Sequence, residues 1–322
     1  MFHSTGIRIN DTNIALDSAE HELCFVSHAH SDHTAAFQKK GRAIIASDET
    51  FVIAGKEPSP LPKIDGVSLH PAGHMLGARQ LLAETCNGRF AYTGDFSLHD
   101  SYTAGAAQIL ECDTLMIDST YCLPALSLPN RRTTTNAMRK FVGDNENSII
   151  VFGAYARGKS QELVRFLNIE CGVAPVVFKQ AAKVCEAYEK CGVKLDYVPA
   201  ESAESEEAMR HPFVAIMPSG MVNFNFGAKL SEAFGREVKT AVATGWAKIS
   251  RFPVDAAFAL SDHADFKDTM RYIYGSGAKK VVCANSGARP AANYLRSIGI
   301  DATEQSELGR SLQATLASCL ES

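Results

Sequence analysis

Four side chains of the kinds that bind metal ions fall within the six residues from 28 to 33, which read HAHSDH. The segment directly follows residues 23–26, a short apolar run that predicts a β-strand. In an extended chain, side chains two residues apart lie on the same side. The first two histidines should therefore face one point, while Asp32 and His33 begin a turn and face a neighbouring point. The spacing predicts a metal centre with room for two ions, and the alternative is a histidine-rich surface turn.

Four further residues of ligand type each follow a predicted strand, namely His74, Asp95, Asp118 and His263. Because the loops at one edge of a sheet converge, such residues can meet although they are distant in sequence. Imidazole and carboxylate ligands without cysteine favour zinc, and manganese or iron are alternatives. The pattern predicts that these residues join the first motif in one centre.

Glycine stands immediately before two of these candidates, as Gly73 before His74 and as Gly94 before Asp95. A glycine has no Cβ, so its backbone can approach crowded surroundings closely. Either residue taken alone could serve the fold only. Together with the first motif, both glycines indicate loops packed tightly around a centre.

Short apolar runs alternate along the chain with segments of helical periodicity, and this alternation predicts an α/β protein. The predicted helices cover residues 134–142, 160–167, 179–191, 229–234, 267–274 and 290–298. A domain boundary is expected near residues 124–129, where sequence rich in leucine and proline follows a strand. The chain is expected to return to the first domain near residues 239–252.

Composition leaves the partner of the 322-residue chain open. Its net charge of -4 is not typical of a nucleic-acid-binding protein, although a local basic groove can coexist with an acidic average. The nine cysteines are odd in number and form no CxxC pair, so neither a disulfide framework nor a thiolate zinc site is indicated. We find neither the pattern of a signal peptide nor an apolar run of ~20 residues. A cytoplasmic protein without a membrane segment is expected.

Two longer motifs resemble those of the β-CASP nucleases, a branch of the metallo-β-lactamase superfamily. Residues 114–122, which read TLMIDSTYC, are similar to motif A of that branch. Residues 258–265, which read FALSDHAD, are similar to its motif B histidine segment. Residues 218–221, which read PSGM, resemble a turn of its RNA-processing members. The resemblance extends from about residue 20 to residue 295.

The resemblance implies a fold and an activity. The fold would be a metallo-β-lactamase αββα sandwich, formed by residues 1–124 and 246–322, with an α/β β-CASP insert at residues 125–245. The activity would be zinc-dependent hydrolysis of phosphodiester bonds in RNA or DNA, by an exonuclease or endonuclease of RNA processing or DNA repair. Single-stranded nucleic acid would be the partner, and a homo-oligomer is left open.

The resemblance also implies a set of metal ligands. His28, His30 and His74 would hold one zinc ion, and Asp32 and His33 would hold a second, with Asp95 bridging the two. In many members a motif C histidine completes the second site, but here Asn285 occupies the corresponding strand end. Because an amide is a weaker zinc ligand than imidazole, the second site is expected to be weakly occupied, completed by water or filled only with substrate.

The expected catalytic residues are Asp32, Asp95, Asp118 and His263. A hydroxide between the two metals would attack phosphorus, while His263 donates a proton or hydrogen bond toward the leaving oxygen. Asp118 would orient His263. In the alternative assignment, His263 is the missing ligand of the second zinc.

Phosphate binding needs hydrogen-bond donors or positively charged side chains in addition to the metal ions. Residues 153–160, which read GAYARGKS, follow a strand and open a helix, so Arg157 and Lys159 are candidates to contact a nucleic-acid backbone. Ser219 and Asn285 are further candidate substrate contacts. Lys248, Arg251, Arg131 and Arg132 are weaker ones, because isolated basic residues usually form a solvated face.

Three questions stay open from the sequence. Trp246 could stack a nucleic-acid base, although a sole tryptophan is more often a core anchor. DNA and RNA are not distinguished, since the missing motif C histidine is similar to DNA-directed members and the PSGM turn to RNA-processing ones. The rival functions are a lactonase or thioesterase of the same fold and a non-catalytic β-CASP subunit that binds nucleic acid.

Overall fold

A computed structural model of the chain describes residues 7–9 and 12–308. The chain divides into two compact units. Within the described part, unit 1 comprises the residues up to His99, Gly105–Ser127 and the residues from His263 onward. Unit 2 comprises Asp100–Ala104 and Leu128–Asp262.

The strands, in chain order, are β1 (Ile7–Ile9), β2 (Ile14–Leu16), β3 (Leu23–Phe25), β4 (Ala43–Ile45), β5 (Val67–Pro71), β6 (Arg79–Thr85), β7 (Gly88–Tyr92), β8 (Thr114–Asp118), β9 (Ile149–Ala154), β10 (Val176–Val177), β11 (Val198–Pro199), β12 (Val214–Pro218), β13 (Val238–Ala243), β14 (Ala256–Phe258), β15 (Lys280–Ala284) and β16 (Ala302–Glu304). The α-helices are α1 (Asp48–Ile53), α2 (Arg131–Asp144), α3 (Lys159–Phe166), α4 (Lys179–Lys190), α5 (Ala203–Ala208), α6 (Phe224–Phe234), α7 (Phe266–Ser276) and α8 (Ala288–Ser297). Short 3₁₀ turns lie at Ala35–Gln38, Pro124–Leu126, Ser219–Met221 and Gly245–Lys248, and a π-helical turn, Leu167–Cys171, continues α3.

Unit 1 is a sandwich of two mixed sheets. The first has the order β1-β2-β3-β4 and the second the order β16-β15-β8-β7-β6-β5. One apolar cluster fills the space between the sheets, and within it the rings of Phe25 and Tyr92 lie 6.1 Å apart. Phe51 of α1 packs on the outer face of the first sheet, and α7 and α8 pack against the second. The expected α/β class and αββα layering are therefore confirmed.

Unit 2 is built on six parallel strands in the order β11-β10-β12-β9-β13-β14. Its central strand β9 is buried along its whole length, as expected of a parallel sheet covered on both faces. Ile149 and Val151 pack on the side of α6. Phe152 faces the other side, where its ring lies 6.3 Å from that of Phe141 in α2. Because the six strands are parallel, they all end at one edge, which we call the carboxyl edge of unit 2.

The units divide later in the chain than the sequence predicted. The first division, between Ser127 and Leu128, falls within the break expected at residues 124–129. The second follows Asp262 rather than residue 245, because β13 and β14 pair with the sheet of unit 2. That the two units are the metallo-β-lactamase and β-CASP domains stays a prediction.

Across the described residues, none of the helices has both the length and the hydrophobicity needed to cross a membrane. The cytoplasmic location stays a prediction.

Candidate metal centre

Three imidazole rings converge beyond the ends of β3 and β5. His28 Nε2 lies 3.0 Å from His30 Nδ1, and His74 Nε2 lies 3.1 Å from the same atom. Asp95, which follows β7, places Oδ2 at 3.5 Å from His28 Nε2 and at 3.7 Å from His74 Nε2. A tetrahedral zinc ion with Zn–N bonds of ~2.0–2.1 Å keeps its ligand atoms roughly 3.3 Å apart. The four side chains therefore fit one tetrahedral metal site.

Two glycines allow the loops that carry these ligands to pack closely. Gly73 has a φ of +75°, and a Cβ added to it would lie 2.3 Å from the backbone oxygen of Ser97. Gly94 has a φ of +54°, and its added Cβ would lie 2.6 Å from Ser27 Cβ. Both positions thus exclude a side chain by backbone angle and by space. The close approach that the sequence predicted at both glycines is present.

The environment of His28 keeps its ring neutral. Burial, together with the neighbouring imidazoles of His33, His74 and His30, holds the pKa of His28 well below its ordinary value. The hydroxyl of Ser27 lies 3.0 Å from His28 Nδ1 and fixes the ring orientation. A neutral imidazole is the form that binds a metal ion. His28 is therefore held ready as a ligand.

The second predicted ligand set is less compact than the first. His33 Nε2 lies 3.7 Å from Asp95 Oδ1 and 3.7 Å from Asp32 Oδ2, and the side chain of Asp32 is 76% exposed. Asp95 thus turns one oxygen toward the three converging histidines and the other toward His33, as a bridging carboxylate would. Burial acts to lower the pKa of His33, but the carboxylates of Asp95 and Asp17 raise it to about 10.

Asp17 organises the base of the centre and was missed by the sequence analysis. This buried carboxylate follows β2 and accepts hydrogen bonds from the amide and hydroxyl of Ser27, at 2.7 and 2.6 Å, and from the Tyr92 hydroxyl at 2.8 Å. Its Oδ2 also lies 2.7 Å from His33 Nδ1. Asp17 therefore fixes His33 directly and reaches His28 through Ser27. The signal was an acidic residue at a strand end, but β2 is only three residues long.

A second buried carboxylate, Asp118, pairs with His263. Asp118 Oδ2 lies 2.7 Å from His263 Nδ1, and His263 Nε2 points toward Asp95, 3.9 Å from its Oδ2. Thr120 donates hydrogen bonds to Asp118 from its amide and its hydroxyl. Burial acts to raise the pKa of Asp118, but the His263 ring and the hydrogen bonds from Thr120 and Asn285 lower it to about 2. The pair has the geometry of a carboxylate that orients an imidazole.

Asn285 connects Asp95 of the metal cluster to Asp118 of the carboxylate–imidazole pair. It follows β15 with a φ of +69°, a backbone conformation that asparagine tolerates better than most residues. Its Nδ2 donates hydrogen bonds to Asp95 Oδ1 at 2.7 Å and to Asp118 Oδ1 at 2.8 Å. Both neighbours are acceptors, so the amide nitrogen must face them. Asn285 occupies the expected strand end, but it links two carboxylates.

Lys159 lies in a buried ion cluster of unit 2, which does not support the predicted contact with a nucleic-acid backbone. Its Nζ lies 2.8 Å from Glu162 Oε2 and 3.5 Å from Asp262 Oδ2. Arg131 pairs with Glu162 as well. Burial lowers the pKa of Lys159. At the start of α3, the lysine folds back onto the glutamate three residues later, so its charge is compensated within the protein.

The other candidate contacts of unit 2 lie at its carboxyl edge. Ser219 lines a cavity of about 150 Å³ together with Tyr155 and Gly220. Arg157 is half-buried just before α3. Ser219 lines this cavity, whereas Lys159 is buried and paired.

The sequence is similar to several known proteins, although no family model matches it. It is 31% identical over 298 residues to a probable DNA ligase of Opitutus terrae, which covers 86% of this chain and 28% of that protein. It is 30% identical over 194 residues to the 5' exonuclease Apollo of Danio rerio, and this match covers 49% of this chain and 33% of that protein. It is 33% identical over 101 residues to the cleavage and polyadenylation specificity factor subunit 3-II of Arabidopsis thaliana, and this match covers 30% of this chain and 16% of that protein.

These relatives are β-CASP nucleases of the metallo-β-lactamase superfamily, so the resemblance of the chain to that branch is confirmed. The chain spans at most a third of the length of each of these relatives. That Asp118, His263 and Asn285 occupy the motif A, motif B and motif C positions of this branch stays a prediction. A crystal structure of a protein of unknown function from Enterococcus faecalis has a similar fold, with a TM-score of 0.56 and 15% identity over 81% of this chain and 74% of that one.

Proposed function

We propose that this chain is a zinc-dependent nuclease with DNA as its substrate. One observation carries the proposal: the cluster of His28, His30, His74 and Asp95 lies beside a carboxylate–imidazole pair whose second ring nitrogen faces Asp95. A metal that activates water and a histidine that can give a proton are the two parts that phosphodiester hydrolysis uses.

Zinc is the metal that this donor set favours, with manganese as the alternative. Three imidazoles and a carboxylate at tetrahedral spacing are typical zinc ligands. A second zinc would be held by Asp32, His33 and Asp95. We expect it to bind more weakly, because Asp32 is exposed and Asn285 turns a donor nitrogen toward the centre.

The residues around the metal divide the chemistry. When bound, zinc supplies a hydroxide near neutral pH and neutralises charge on the phosphate. The Asp118 carboxylate accepts the Nδ1 proton of His263, so the ring can give a proton from Nε2 to the leaving oxygen only as an imidazolium, a form that the carboxylate stabilises. Asp95 fixes the metal side of the site. Asp32, a predicted catalytic residue, would take part as a ligand of the second metal.

The extent of the similarity favours DNA over RNA. The match to the probable DNA ligase covers 86% of this chain, whereas the match to the polyadenylation factor covers 30%. The 5' exonuclease Apollo adds support for degradation from a 5' end. RNA is the second candidate, because residues 218–221 form a turn that resembles the one in RNA-processing members.

End-labelled oligonucleotides test the proposal. Single-stranded and duplex DNA and RNA, labelled at either end, are incubated with the protein and with zinc or manganese. We expect shortening of single-stranded DNA from its 5' end, and no activity of Asp95→Ala. Asp301→Asn, which changes an exposed carboxylate, is the matched control and should keep full activity.

The same assay separates the rival functions. Hydrolysis of a lactone or thioester with no cleavage of nucleic acid would replace the nuclease by a small-molecule hydrolase. Binding of about one zinc without hydrolysis of any substrate would indicate a non-catalytic subunit. A homo-oligomer stays a prediction, which the mass of the protein in solution will test.

A further inference from the structure

Three adjacent strands of unit 2 each lead into an exposed aromatic side chain at its carboxyl edge. Tyr155 follows β9 and is 67% exposed, Phe224 follows β12 and is 55% exposed, and Trp246 follows β13 and is 36% exposed. Large apolar side chains that gather on a surface mark a place where something binds. The chain has a single tryptophan, and it lies here rather than in a core.

Strand register brings the three segments together. Pro218 pairs with Ala154, and Val242 pairs with Gly153, so the chain leaves β12, β9 and β13 at the same level. Neighbouring strands in a sheet lie ~4.8 Å apart. The three aromatic residues therefore begin from adjacent positions.

Direct contacts connect the same segments. The amide of Phe224 donates to the backbone oxygen of Pro253 at 2.7 Å, which joins the segment after β12 to the segment after β13. Tyr155 shares a cavity of about 150 Å³ with Ser219 and Gly220, which joins β9 to β12. The segments that carry the three aromatic residues are thus connected to one another, and we call these residues the aromatic edge (Tyr155, Phe224 and Trp246).

Charge separates the two edges of the sheet. The segments that follow the three strands, residues 153–161, 218–231 and 243–254, contain no Asp or Glu and five Lys or Arg. These basic residues are Arg157, Lys159, Lys229, Lys248 and Arg251, of which Lys159 is buried and paired. The segments that lead into the strands, residues 144–148, 206–213 and 235–237, contain five Asp or Glu and two Lys or Arg. Around the ends of β12, β9 and β13, the residues that precede Glu162, Glu232 and Asp255 are therefore basic in a chain of net charge -4, which suits a polyanion.

We propose that the aromatic edge binds the unpaired bases of a single nucleic-acid strand by stacking, while Arg157, Lys248 and Arg251 contact its phosphates. Aromatic side chains set among basic residues are the arrangement by which proteins hold single strands without reading their sequence. Duplex DNA keeps its bases stacked on each other and therefore offers the three rings no base on which to stack. The assignment rests on the proposed nuclease function, since it names how that enzyme holds its substrate.

The sole tryptophan gives a direct test. In an Asp95→Ala background that leaves the oligonucleotide intact, a 15-nucleotide oligo-dT should quench the fluorescence of Trp246. A 15-residue abasic oligonucleotide, which has the phosphates but no bases, should not. A blunt duplex of the same length should not either.

Alanine substitutions measure the contribution of the other two rings. Tyr155→Ala and Phe224→Ala should each weaken binding of labelled oligo-dT by about 5- to 100-fold. Tyr155→Phe should bind as the parent does, because the ring and not the hydroxyl stacks. The matched control is Tyr274→Ala in α7, whose side chain is also 67% exposed, and it should bind oligo-dT unchanged. Circular dichroism confirms that each variant is folded.

The outcomes separate this inference from the proposed function. If saturating oligo-dT leaves the fluorescence of Trp246 unchanged, the aromatic edge does not bind single strands. This conclusion would hold even if the enzyme degrades DNA. Alanine variants that bind within twofold of the parent overturn the proposed binding role as well. A concentration-dependent dimer that Tyr155→Ala abolishes, without any response to oligo-dT, would assign the surface to a second copy of the chain instead. If oligo-dT quenches the fluorescence but the protein hydrolyses no nucleic acid, the binding role of the aromatic edge is supported and the proposed nuclease function is wrong.

Discussion

Two carboxylates, Asp17 and Asp118, each lie 2.7 Å from the Nδ1 atom of a histidine, His33 and His263 respectively. A carboxylate in this position fixes which ring nitrogen carries the proton and which direction the other nitrogen faces. The two histidines then present Nε2 toward Asp95, at 3.7 and 3.9 Å. The direction of each functional ring is therefore set by a residue behind it.

Replacement of Asp17 should weaken the metal site although this residue is not a predicted ligand. Asp17→Asn removes a charged acceptor from His33 and from Ser27, and loss of such a partner typically lowers metal affinity about 10- to 100-fold. Competition between the protein and a chromophoric zinc chelator measures the affinity. Asp65→Asn, which changes an exposed carboxylate of unit 1, serves as the control. Equal affinity in both variants would contradict this role.

Removal of His263 distinguishes the two roles that this residue can have. If it gives a proton, His263→Ala keeps its zinc and loses about 10²- to 10⁴-fold in turnover. This is the expected result, because its Nδ1 is engaged by Asp118. Zinc content from atomic absorption, measured beside the rate of DNA cleavage, decides the question. Loss of a zinc equivalent would instead make His263 a ligand.

The sequence could predict which side chains meet but not how they are connected. The candidate ligands His28, His30, His74 and Asp95 follow from strand ends and motif spacing, and they do converge. The hydrogen bonds of Asn285 to two carboxylates depend on a left-handed backbone angle that a sequence does not display.

At the scale of secondary-structure elements, the loops that carry the candidate ligands need glycine at positions where a side chain would not fit. Gly73 sits between β5 and the ligand His74, where its φ of +75° and the nearby oxygen of Ser97 leave no space for a Cβ. Gly277, which ends α7, has a similar φ of +67° but nothing within 4 Å of an added Cβ. The pair separates the effect of space from the effect of backbone angle.

We expect Gly73→Ala to lower the free energy of unfolding by about 2–5 kcal/mol, from strain and overpacking together. Gly277→Ala should cost about 1–2 kcal/mol, because only the backbone angle is unfavourable. Urea denaturation followed by circular dichroism measures both values. If the two variants are equally stable, space around Gly73 does not limit the loop.

Element prediction succeeded where one face of a segment is consistently apolar. The six predicted helices are all present, with ends that shift by a few residues. Strand β6 escaped detection because its core position holds Gln80, whose side chain bonds to the oxygens of Pro71 and Gln108 and accepts from Tyr272. A polar residue buried with its partners breaks the apolar alternation on which strand prediction depends.

At the scale of the whole molecule, metal binding should contribute to the stability of the folded chain. A ligand that binds only the native state stabilises it by about 2.7 kcal/mol at a concentration 100 times its Kd. The melting temperature should therefore rise as zinc is added. Asp95→Ala should abolish the rise, whereas an equal rise in that variant would mean that zinc binds elsewhere, for instance at the cysteines.

The division into units was only partly predictable at this scale. The first boundary is marked by a change in composition near residue 128. The second is not, because β13 and β14 resemble strands of either unit until their partners are known. Pairing between distant segments is a property of the folded chain, so the sequence placed the return too early.

The interrupted course of unit 1 has a consequence for its synthesis on the ribosome. Strand β8 is central in its sheet, yet its partner β15 lies beyond the whole of Leu128–Asp262. At translation rates of ~5–20 residues per second, the nascent chain waits on the order of ten seconds with one edge of β8 unpaired. During that interval the histidines of the first motif already exist, but His263 and Asn285 do not. The candidate centre is thus completed only when the last part of unit 1 emerges, so a prematurely terminated chain carries candidate metal ligands without the residue proposed to act as the acid.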